Sequence, residues 1–191
     1  MRGGKSFTIG GEAAITGGTA GNQGGNICVY IDRKDKAASI TMTGGTVSGG
    51  NAKSGDNIFV RGYKSGSDLA TGTFLLEGGT IGAGGEDSCG NSIYLNDAYS
   101  YLTVGNAIVQ GGLNAEKGNV TLKGAPTIDK TGTDYTYSIK LGNAMDVAGL
   151  TGGKATINAT GEISGTDNGI AYLSMVKDYS VKVGTKPALD T

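Results

Sequence analysis

The chain has 191 residues, 37 of them glycine and only 2 proline, with 16 basic and 17 acidic residues and no histidine. The glycine content is far above the usual level, and the low proline count excludes collagen-like and proline-rich chains. Missing histidine excludes Ser-His-Asp and Cys-His catalysis and histidine zinc sites, and the near-neutral charge, without basic runs, argues against a nucleic-acid partner.

In chain order, the predicted elements repeat. The first unit opens with an apolar pair at i and i+2, Phe7 and Ile9, followed by a glycine-rich turn and Ile15. Such a pair lies on one face of a strand. A third strand follows at 26–30, beginning with Asn26 and ending at Tyr30, and 30–38 reads as a loop. The second unit repeats this as Ile40/Met42, Val47 and a third strand at 57–61, with 61–72 as an inserted loop. The third has Phe74/Leu76, Ile81 and 91–95. The fourth has Leu102/Val104 and Ile108, with Leu113 its only third-strand candidate. Later units are Val120/Leu122, Ile128 and 137–141, then Ala155/Ile157, Ile163 and 169–173, and finally Val181/Val183.

Units of variable length, each with three short strands and glycine turns, predict an all-β, right-handed parallel β-helix of six to seven rungs. At about 4.8 Å per rung the stack would be roughly 30 Å long. This makes residues 1–191 a single solenoid domain. Residues 1–5 hold no amphipathic cap, so the chain is expected to be a segment of a longer β-helix or to lack a preceding part. No run reaches membrane-spanning length. The strongest amphipathic stretch, 144–150, is short and holds Gly149. Two cysteines, Cys28 and Cys89, are too few for a disulfide framework.

Alternation places Cys28, Phe59 and Tyr94 on one outward column of the third strands, with Tyr30, Arg61 and Asn96 on the next. An exposed Phe59 beside Tyr94 would form a face on which sugar rings or a protein partner dock. The candidate ligand contacts are therefore Tyr30, Phe59, Arg61 and Tyr94. A polysaccharide-acting enzyme would instead need two converging carboxylates. Its candidates are Asp32, Asp56 and Asp97, with Glu86 and Asp87 beside them. No catalytic residue, metal or cofactor is assigned. An outward threonine column (Thr8, Thr41, Thr103, Thr121 and Thr156, interrupted by Leu75) suggests an ice-binding array. Glycine and charge in the neighbouring column, at Gly10, Glu77, Gly105 and Lys123, spoil its flatness. Asn26, Asn57 and Asn91 open successive third strands and are expected to form an amide ladder along the stack.

The phrases Thr41-Met42-Thr43-Gly44-Gly45-Thr46-Val47-Ser48-Gly49 and Leu76-Glu77-Gly78-Gly79-Thr80-Ile81 resemble the TMTGGTISG repeats of large adhesin-like bacterial surface proteins. The resemblance is specific in these two units and degenerate elsewhere across 6–183. It implies an extracellular or wall-attached β-helix that contacts glycans or host-surface proteins, and it carries no catalytic residues. The function expected is adhesion or carbohydrate binding, with the polysaccharide-acting enzyme and a passive stalk as alternatives.

Overall fold

A computed structural model describes residues 4–34, 36–86, 91–129, 139–141, 145–150, 155–158, 171–174 and 179–183. Arg2, Asp87, Cys89, Tyr137, Ile163, Ile170 and Pro187 lie outside the described residues. The repeats as far as Asn158 stack as turns of a parallel β-solenoid. The first comprises β1 (Ser6–Ile9), β2 (Ala14–Thr16) and β3 (Ile27–Tyr30). The next two are β4 (Ala38–Ser48) with β5 (Ile58–Arg61), and, after the hairpin β6 (Tyr63–Ser65) and β7 (Asp68–Ala70), β8 (Gly72–Ile81) with β9 (Ile93–Leu95). They are followed by β10 (Ser100–Gln110) and β11 (Leu113–Ala115), then β12 (Asn119–Gly124), β13 (Thr127–Asp129) and β14 (Ile139–Leu141). The last described strands are β15 (Asp146–Leu150), β16 (Thr156–Asn158), β17 (Ala171–Ser174) and β18 (Tyr179–Val183).

First strands pair in parallel in the order β1, β4, β8, β10, β12, β15. Third strands form a separate five-stranded sheet, β14-β11-β9-β5-β3. Leu113 lies in that sheet between Ile93 and Ile139, as expected from its place in the fourth unit. First and second strands merge into one long strand in β4, β8 and β10, bending at Gly44-Gly45 and Gly78-Gly79 in the first two. Gly45 and Gly79 have φ of 85° and 89°, which only glycine adopts without strain. Backbones approach closely at this corner: a Cβ on Gly45 would stand 2.4 Å from the Ala13 carbonyl oxygen.

The core is the narrow space between the sheets. Met42, Phe74, Leu76, Val104 and Leu122 enter it from the first strands, and Val29, Ile58, Val60, Ile93 and Leu113 from the third. All ten are buried because alternation delivers one side of every strand inward. Phe7 pairs with Ile40 in register but is 53% exposed, as the inward residue of the outermost described strand.

Four expectations are corrected by the pairing. Val109, not Ile108, continues the β-branched column, since Ile81 pairs with Val109 and Val109 with Ile128; Ile108 points outward and is 41% exposed. Ile157 pairs with Ile128, so β16 is a second strand, and the first-strand position of that unit belongs to β15. Thr156 therefore leaves the first-strand threonine column and pairs with Thr127. β17 and β18 form an antiparallel hairpin, and β18 pairs antiparallel with β16, so neither 171–173 nor Val181/Val183 adds a parallel rung.

Candidate functional site

Parallel register decides which outward residues meet. Tyr30 pairs with Arg61 across β3 and β5, so their side chains leave the sheet together at the corner that follows the third strands. The Arg61 guanidinium carbon lies 4.6 Å from the Tyr30 ring centroid, and Arg61 Nη1 donates to the Tyr30 hydroxyl. This is a cation–π contact with a hydrogen bond beside it. Arg61 Nε lies 4.0 Å from Asp97 Oδ2. Asp97, one turn further along, is held from both turns: Oδ1 accepts from the backbone N–H of Gly62 on the preceding turn at 3.2 Å and of Tyr99 in its own loop at 3.0 Å. An aspartate that caps a turn in this way has a structural role as well as a charge. Asp97, not Asn96, is thus the partner of Arg61, and the alternation rule missed it because the strand ends at Leu95.

The loop expected over 61–72 is an antiparallel hairpin, with Gly66 at φ 58° in its tight turn. Two contacts hold it to the corner. Lys64 Nζ lies 5.5 Å from the Tyr99 ring centroid, and Lys34 Nζ is 3.5 Å from Asp68 Oδ2. Tyr30, Arg61, Asp97 and Tyr99 are each half-buried, so rings, hydroxyls, a guanidinium and a carboxylate present partly accessible atoms at one corner.

Phe59 and Tyr94 do share a column and stack, with centroids 5.9 Å apart and planes within 4°. Phe59 is fully buried, however, which corrects the expectation of an exposed ring. It sits between Cys28 and Tyr94 in register, outside the inner core, and acts in packing rather than in contact with a ligand. Tyr94 keeps partial exposure.

The three acids proposed for catalysis do not occupy one place along the strands. Asp56 precedes β5, is fully buried and accepts from the Ala52 N–H at 3.3 Å. Asp32 and Asp97 follow their third strands, at the other end, and Asp32 lies 4.0 Å from the exposed Arg33. Glu86 is exposed. No group of three or more metal-ligating side chains occurs among the described residues.

The amide ladder is present with one substitution. Asn26 Nδ2 donates to Asn57 Oδ1 at 2.7 Å, and Asn57 Nδ2 donates to Ser92 Oγ at 2.8 Å. Ser92, not Asn91, takes the third place, because Ile93 is the partner of Ile58 and the residue before it faces the ladder. The ladder also ties down the glycine turns: Asn57 Oδ1 accepts from Gly50 N–H at 3.0 Å, and Ser92 Oγ donates to the Gly82 carbonyl at 2.6 Å.

The fold and corner define a parallel β-solenoid bearing an aromatic and charged surface cluster. No family model matches the chain, and comparisons with curated proteins and with solved structures return no significant match.

Proposed function

We propose that this chain is a non-enzymatic adhesion or carbohydrate-binding module of an extracellular bacterial surface protein, with the Tyr30–Arg61–Asp97 corner as its contact surface. The supporting observation is the fixed Arg61 guanidinium, held over the Tyr30 ring and beside Asp97 while part of each group stays accessible. A planar donor fork next to an aromatic ring suits sugar hydroxyls and carboxylates. The TMTGGT-type repeat is a second, independent support for a surface role. Glycans or host-surface proteins are the partners this reading names, with no nucleic acid and no membrane insertion.

A passive stalk is the second reading, and the burial of Phe59 favours it by removing the largest expected contact. A broad glycan array probed with the wild type, Arg61→Ala and Tyr30→Ala separates the two. A hit lost in both variants supports the binding module. A blank array from folded protein refutes the carbohydrate form of the proposal and favours the stalk.

A further inference from the structure

A second surface lies on the outer side of the first strands. There a groove of about 540 Å³ is bounded by the hairpin on one side and the start of the chain on the other, and Lys5, Ser6, Ser39, Leu69 and Thr73 are among its lining residues. Its floor is built by register. Ser6 pairs with Ser39 and Ser39 with Thr73, so three hydroxyls stand one above another on successive strands, about 4.8 Å apart. The same column continues through Thr73 to Tyr101, which is 39% exposed. Leu69, 49% exposed on the hairpin, supplies an apolar wall. Among the described residues lining the groove there is no carboxylate, whereas Lys5 is one of them, and the Lys36 stem passes its edge at Gly4.

We propose that this groove binds an acidic glycan lying along the stack axis. The hydroxyl column recurs at a spacing close to the length of one sugar unit. Tyr101, next along the column beyond the groove, offers a ring face for stacking, and Lys5, with no acid among the described lining residues, selects a carboxylated sugar. The proposal rests on the glycan-binding reading above but uses different residues from the corner.

The test is titration of the full chain with alginate oligomers, a polyuronate, against dextran as a neutral comparator. Leu69→Asp and Lys5→Glu change exposed side chains, so the fold is retained, and denaturation curves check this. Each is expected to weaken alginate binding by about tenfold, as is Tyr101→Ala. Lys53→Ala, at an exposed lysine before β5 that lines neither surface, is expected to leave alginate binding unchanged. Dextran bound as tightly as alginate overturns the acidic class. Alginate binding lost in Arg61→Ala but kept in the groove variants overturns the groove and leaves the corner standing. No alginate binding by folded protein overturns the proposal, while the glycan array judges the corner separately.

Discussion

The sharpest test of this fold is the removal of one buried amide. Asn57 is fully buried and uses both ends of its side chain. Nδ2 donates to Gly82 O at 2.8 Å, Ala83 O at 3.0 Å and Ser92 Oγ at 2.8 Å, while Oδ1 accepts from Gly50 N–H and Asn26 Nδ2. In Asn57→Ala some of these partners keep another bond: Ser92 Oγ still donates to Gly82 O, and Asn26 Nδ2 still donates to Ser48 O. The Ala83 carbonyl still accepts from the Gly49 N–H at 2.8 Å, so the Gly50 N–H alone loses its acceptor. A buried group left unsatisfied costs about 1–3 kcal/mol, so this group and the small cavity sum to about 2–4 kcal/mol. That is roughly a fifth to two fifths of a domain stability of about 10 kcal/mol. Urea denaturation should show the midpoint falling at unchanged slope. Asn26→Ala, at the half-buried end of the ladder, should cost only about 1 kcal/mol. A loss below about 1 kcal/mol for Asn57→Ala would refute the claim that the ladder couples the turns.

Other outcomes follow from burial and register. Phe59→Ala should cost about 3–5 kcal/mol in the same assay, as a packed ring does and an exposed contact residue does not. Val109→Asp should prevent folding, whereas Ile108→Asp should change stability by about 0.5 kcal/mol or less, read by circular dichroism and urea midpoints. Gly50→Ala should be severely destabilising, because the new Cβ would stand 2.1 Å from the Asp56 carbonyl oxygen; an unchanged thermal midpoint would contradict this. Arg61→Ala should shift stability by about 1 kcal/mol or less, since its ion pair is partly solvated, so any large loss of binding would belong to the contact itself.

The division between what was legible and what was not follows the range of each interaction. The pairs Ile40/Met42, Phe74/Leu76 and Leu102/Val104 are readable because alternation is local: two residues apart means one face, whatever the neighbours are. The glycine corners, the weak third strand at Leu113 and the placing of Tyr30 beside Arg61 followed from the same rule. The outward place of Phe59 was also readable, but its burial was not, because burial depends on what other segments lie over it. Asp97 was readable only as a candidate acid, and its pairing with Arg61 was not, because the two meet beyond the strand end, where no period applies.

Sequence by itself therefore determined the architecture: strands too short and too one-sided to stand alone must stack to bury their apolar edges. It did not choose between equivalent neighbours. Ile108 and Val109 are both β-branched and adjacent, and only the hydrogen-bonded register with Ile81 sends one inward and the other to solvent. Asn91 and Ser92 are both polar, and the pairing of Ile93 with Ile58 decides which faces the ladder. At 155–157 the apolar spacing fits a first or a second strand equally well, and the partner Ile128 settles it. A one-residue shift reverses every side chain in a strand, and its energy lies in contacts with the next turn of the solenoid, so only the tertiary structure could decide it.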